Sequence, residues 1–184
     1  MKKATIIFSM LGILLSFNAM AQGKFYTKTG KISFFSSTSM EDIDATNKSV
    51  TVLLDTKTGN LQFAVLMKGF EFKKALMQED FNKDYIESDK FPRGEFKGQV
   101  TNNSEINYTT NGNYTVKVTG KLTIHGETKD IETTGTINVA DGKIILHSSF
   151  NILVADYKIS ISKLYRNNIS NTIKVTADCT LGPL

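Results

Sequence analysis

Apolar and polar residues alternate along most of this chain from Lys31 onward, and a period of two belongs to strands that bury one face. The clearest stretch sets Tyr114, Val116, Val118, Gly120, Leu122 and Ile124 against Thr115, Lys117, Thr119, Lys121 and Thr123. Ile131, Gly135, Ile137 and Val139 repeat the pattern, as do Ile173, Val175, Ala177, Cys179 and Leu181 near the end. Between such runs stand Gly59-Asn60, Asn111-Gly112 and Asp141-Gly142, residues that accept the positive φ of tight hairpins. The expected neighbours are therefore antiparallel: Val50 to Leu54 with Leu61 to Met67, and Ile137 to Val139 with Ile144 to Leu153. About eight strands in one domain predict a closed barrel, because closure removes their exposed edges; a two-sheet sandwich has the same periodicity and stays open.

One segment breaks the period. From Phe72 to Tyr85, Lys73, Met77, Phe81 and Tyr85 recur every four residues while Lys74, Gln78, Glu79 and Lys83 are free to face water, which predicts a short amphipathic helix. Pro92 stops it, and alternation resumes from Glu95 to Val100.

The start of the chain carries a different signal. Lys2 and Lys3 precede an apolar stretch from Ile6 to Phe17, and Ala19-Met20-Ala21 is a small-x-small cleavage site. Residues 1–21 thus read as a signal peptide and 22–184 as the mature, periplasmic or secreted domain beginning at Gln22. No later stretch approaches the roughly 20 apolar residues of a membrane span. Loss of 21 of the 184 residues leaves 163, the size of one domain. It also takes Lys+Arg from 22 to 20 against 18 acids, and so even a balance gives no reason to propose a nucleic-acid partner. Cys179 is the only cysteine, so packing rather than an intrachain disulfide has to hold the fold, and the residue reads as a buried strand position.

Catalysis has little to draw on. His125 and His147 are the only histidines, and neither falls in a metal-ligand spacing, beside a helix-spaced carboxylate or near a Gly-x-Ser-x-Gly turn. His125, where a strand meets Gly126, reads as a solvated turn residue, and His147 as a residue on the polar face of its strand. Glu79, Asp80, Asp84, Glu87 and Asp89 form an acidic run that a hydrolytic or cation-binding reading would need. Lys73, Lys74, Lys83 and Lys90 are interleaved with it, the pattern of a solvated face. No catalytic residue, metal ligand or cofactor is assigned, and the expectation is a protein that is not an enzyme. The aromatic residues point elsewhere: Phe25, Tyr26, Phe34, Phe35, Phe63, Phe70, Phe72, Phe81, Tyr85, Phe91 and Phe96 crowd the N-terminal half. Inside a barrel of roughly eight strands they either fill the core or line a ligand cavity.

Four stretches, in order, resemble the YceI-like family. Leu76 to Asn82, Tyr85 to Ser88 and Lys90 to Phe96 are similar to its helix with an Asp-Phe pair leading into a Tyr/Phe-Pro-x-x-x-Phe strand. Val118 to Thr128 resembles its Gly-x-Leu-Thr-x-x-Gly-x-Thr segment, Phe150 to Ile159 with Asp156-Tyr157 its Phe-x-x-x-x-x-Asp-Tyr/Phe-x-Ile segment, and Ile173 to Leu181 its final strand. Ala75 stands where many members carry a histidine, and Ser36-Ser37-Thr38-Ser39 lacks another, so no headgroup contact is carried over. The resemblance implies a mainly β, antiparallel, lipocalin-like β-barrel with a short helical insertion, binding an isoprenoid or other long-chain lipid in an elongated pocket. Combined with strand alternation and the helical stripe, it selects Phe63, Val65, Met77, Phe81, Phe96, Val118, Leu122 and Phe150 as the apolar pocket wall. The function expected is that of a lipid carrier; the alternative is a ligand-free structural or stress-response barrel that acts through a protein partner.

Overall fold

The computed structural model describes residues 23–184, so the expected signal peptide and the new terminus at Gln22 lie outside the described residues. The alternating runs form strands β1 (Lys24–Ser37), β2 (Asp42–Asp55) and β3 (Asn60–Leu66), a two-residue β4 (Glu71–Phe72), then β5 (Arg93–Val100), β6 (Gly112–Ile124), β7 (Glu127–Ala140), β8 (Lys143–Leu153) and β9 (Thr172–Pro183). Their order is β1-β9-β8-β7-β6-β5-β3-β2, and β2 pairs back onto β1. Eight strands therefore close an antiparallel barrel, and the sandwich is excluded because the ladder has no break. β4 stays outside this ring, attached to β2 through Ala45 and Thr46.

Two turns show how sequence sets the connections. Asp141 and Gly142, at φ of 50° and 73°, join Ala140 to Lys143, and His125 and Gly126, at 51° and 75°, join Ile124 to Glu127. Positive φ at both central residues is the geometry whose twist matches that of the flanking strands. Gly59, at φ of 76°, ends the longer turn from Asp55, and Leu54 pairs with Leu61 as expected. Asn111-Gly112 differs from expectation: Gly112 opens β6, Asn111 accepts the Asp141 N–H, and the β5–β6 connection is a loop of residues 101–111.

Both ends of the barrel follow from this connectivity. The β2–β3 and β7–β8 turns, loop 101–111 and the two termini of the domain lie at one end, where Leu54, Val100, Ile137, Ile144 and Leu181 are fully buried. Loop 101–111 covers it: Ile106 enters the core, Asn103 donates to the Thr56 carbonyl, and the Tyr108 hydroxyl donates to Asn103. Burial pushes the Tyr108 hydroxyl up to about 12. The opposite end receives the β1–β2 tip, the insertion between β3 and β5, the β6–β7 turn and the β8–β9 connection.

The insertion holds the helix, shorter than the sequence suggests. Helix α1 spans Ala75–Asp80 and continues as a π-helical turn, Phe81–Tyr85. Lys73 precedes it and pairs with Asp44, while Gln78 turns inward and accepts the Phe72 N–H. Met77, Phe81 and Tyr85 keep the predicted stripe toward the barrel.

Candidate apolar binding cavity

Small inward side chains create the space. Gly135, Ser148 and Ala177 are neighbours across β7, β8 and β9, and Gly98 faces Gly120 across β5 and β6. An eight-stranded barrel is just wide enough for ordinary side chains to fill, so rows of glycine, serine and alanine leave a void. The Gly98–Gly120 pair is covered by the Phe96 ring; a Cβ on Gly120 would lie 2.6 Å from Phe96 Cζ. The remaining cavity has a volume of about 420 Å³, within the range of small-molecule sites.

All eight residues selected from sequence border this one cavity: Phe63, Val65, Met77, Phe81, Phe96, Val118, Leu122 and Phe150. Val65, Phe96 and Val118 are buried, while Phe63, Met77, Phe81, Leu122 and Phe150 are half-buried against the void. Two groups of wall residues escaped the sequence selection. The first is an aromatic cluster: Phe34 stacks on Phe81 at 5.4 Å between ring centroids, and Phe70 and Phe72 pack on Phe81 at 5.7 and 5.1 Å. Its signal lay in the density of phenylalanine, but the adjacent Phe34 and Phe35 hide which faces inward. The structure turns Phe34 in and Phe35 out. The second group, Ile159, Ile161, Tyr165 and Ile169, comes from the β8–β9 connection, which has no strand or helix period to read.

Polar groups stand at the rim. Glu41 from the β1–β2 tip accepts hydrogen bonds from Lys74 at 2.7 Å and Asn168 at 3.3 Å. The Lys74 bond above all holds the Glu41 carboxyl below the usual carboxylate range. Burial, with Asp80 nearby, pushes the Tyr85 hydroxyl upward. Lys74, Leu76 and Tyr165 are exposed and border the cavity, so it reaches solvent between them.

His125 is not the solvated residue its turn position suggested. Its side chain is 12% exposed, lies against the Phe91 ring at 4.6 Å, and bonds Glu87 Oε2 at 2.8 Å and the Tyr157 carbonyl at 3.0 Å. A carbonyl only accepts, so Nδ1 donates to Tyr157, and Nε2 shares the second hydrogen bond with Glu87. The residue thereby ties three mouth segments together. His147, by contrast, lies exposed on the barrel exterior and bonds Asp178 at 2.6 Å. The acidic run is dispersed: Glu87 meets His125, Asp89 pairs with Lys68, and Asp80 borders the cavity. Among the described residues no three His, Cys, Asp or Glu side chains converge as metal ligands would.

A closed antiparallel barrel around an apolar cavity, with a helical insertion at its mouth, defines a lipocalin-like class of protein. A family model, the YceI-like domain, matches residues 5–181, and the chain belongs to that family. No curated protein matches it. Among solved structures it is similar to a polyisoprenoid binding domain from Saccharophagus degradans implicated in plant cell wall breakdown, at 16% identity and a TM-score of 0.77, covering 88% of this chain and 99% of that one. It is also similar to BcnA of Burkholderia cenocepacia, at 16% identity and a TM-score of 0.67 over 83% of this chain and 96% of that one. The Campylobacter jejuni YCEI protein matches at 18% identity and a TM-score of 0.54 over 98% and 97%. At identities this low the likeness shows a shared fold and nothing further.

Proposed function

We propose that the protein is an exported carrier, not an enzyme, that holds a long apolar chain, an isoprenoid or similar lipid, inside its barrel. The observation that carries this reading is the cavity itself, walled by aromatic and aliphatic side chains from all eight barrel strands, the short β4, the helix and the β8–β9 connection. Each CH₂ removed from water contributes about 0.8 kcal/mol, so a chain-like ligand is held by shape and dryness without a reactive group. The polyisoprenoid-binding description of the Saccharophagus degradans domain supports the choice of ligand class. Export rests on the sequence of residues 1–21 and predicts a mature chain beginning at Gln22. Mass spectrometry tests both points. Organic extracts of the native protein should contain a stoichiometric chain-like lipid, and the intact mass should correspond to residues 22–184. A lipid-free protein that also fails to take up added polyprenol would overturn the carrier reading; a mass retaining Met1 to Ala21 would overturn export.

A further inference from the structure

Glu41 marks where three segments of the cavity rim meet. Its bonds to Lys74 and Asn168 join the β1–β2 tip, the chain entering α1 and the β8–β9 connection. Within four residues of this junction each segment carries a large apolar side chain turned to solvent: Met40 at 69% exposure, Leu76 at 65% and Leu164 at 78%. These are the three most exposed large hydrophobic side chains among the described residues. Single exposed apolar residues are ordinary, but their convergence on one rim is not. Exposed Lys163 and Arg166 flank Leu164 and Tyr165, so this tip presents an aliphatic side chain and a phenol between two cations.

We propose that this rim is a docking surface for the face of an anionic lipid bilayer, with Met40, Leu76 and Leu164 entering the headgroup layer and Lys163 and Arg166 meeting lipid phosphates. Aliphatic side chains beside long cationic ones, with a tyrosine at the boundary, are the chemistry of interfacial binding. The rim also continues into the cavity, since Leu76 and Tyr165 belong to both. A chain leaving the barrel there passes from one apolar surface to another without crossing water. The inference rests on the carrier reading for its purpose, but not for its test.

Flotation of the full mature chain with vesicles decides it. The protein should float with vesicles of phosphatidylethanolamine and phosphatidylglycerol, far less with phosphatidylcholine alone, and less as salt is raised. Met40→Ser with Leu164→Ser should weaken binding at least about tenfold by removing two apolar side chains. Lys163→Gln with Arg166→Gln should weaken it about tenfold on the anionic vesicles only. None of these four residues borders the cavity, so lipid content and melting temperature should match the wild type. Absence of wild-type binding to anionic vesicles, or binding by both double variants as tight as that of the wild type, would overturn the proposal. Normal lipid content in a protein that ignores vesicles sinks docking alone. Vesicle binding by a protein that carries no lipid supports docking and sinks the carrier reading.

Discussion

The same strands behave differently at the two ends of the barrel. On β6, Val116 and Val118 are buried while Leu122 and Ile124 are half-buried, and on β8 Ile144 and Leu146 are buried while Phe150 and Ile152 are half-buried, although the cavity touches Val116, Val118 and Leu146 as well. Residue type does not explain the contrast, since aliphatic residues occupy inward positions at both ends. Connections and cross-strand neighbours do. Tight turns and loop 101–111 seal one end, whereas the other is held apart by the β3–β5 insertion and the β8–β9 connection, with Gly135, Ser148 and Ala177 failing to fill the space between. One end therefore supplies stability and the other capacity.

Truncation should separate these roles. Leu181 and Ile144 are wholly buried away from the cavity, so Leu181→Ala or Ile144→Ala should cost about 2–5 kcal/mol in urea unfolding and leave lipid content unchanged. Leu122 already borders empty space and has fewer contacts to lose; Leu122→Ala should cost less than about 2 kcal/mol and alter the co-purified lipid instead. Equal destabilisation at both ends would break the comparison. Phe81→Asp sharpens it, because an unpaired charge among Phe34, Phe70 and Phe72 should abolish lipid retention, with melting temperature measured beside it to detect misfolding.

Much of the packed end was legible in the sequence because it is built from local rules. Alternation in Gly112–Ile124 and Thr172–Pro183 and the Asp141-Gly142 turn each follow from a few consecutive residues. The cavity wall was legible where it lies on strands or on the Met77-Phe81-Tyr85 stripe. The mouth was not, because its interactions link residues far apart: Glu87 and Tyr157 meet His125 across 38 and 32 positions, and Asn168 meets Glu41 across 127. Nothing in the local sequence around Ser160 to Ser170 has a period to read, although Ile161, Tyr165 and Ile169 enter the wall.

His125 provides the next test, since it holds the open end together as packing holds the closed one. His125→Ala should leave Glu87 and the Tyr157 carbonyl without their imidazole partner and cost about 1–3 kcal/mol. Hydrogen exchange should rise in residues 86–92 and 154–158 while the closed end keeps its protection. A variant with wild-type exchange in both segments would show that the histidine is not what pins the mouth.

Cys179 reports on the closed end with a smaller perturbation. Its thiol is buried, contacts the Gly30 position and is pushed by burial up to about 11, so it should resist alkylation until that end opens. Labelling should follow global unfolding in urea, and lipid release at the mouth should not accelerate it. Rapid labelling of the folded protein would mean that the closed end breathes as freely as the open one.

The smallest expected effect belongs to the barrel exterior, where Asp178 accepts hydrogen bonds from His147 at 2.6 Å and lies 3.0 Å from Lys31. Burial works to raise the Asp178 carboxyl, but the bonds from His147 and Lys31 outweigh it and hold the carboxyl below its ordinary value. A carboxyl lowered in the folded state adds stability that is fully present above its unfolded range and fades as pH falls through its folded value. All three side chains are more than a third exposed, so solvent screening keeps the contribution within about 1 kcal/mol. Asp178→Asn should therefore lower stability slightly at neutral pH, and the difference from wild type should shrink as the solution is acidified. His147→Ala should behave likewise at neutral pH, in contrast to the larger effect of His125→Ala. Urea unfolding of both variants across the acid range measures this directly. A gap that stays constant through the carboxylate range would mean that Asp178 acts through packing and not through its charge.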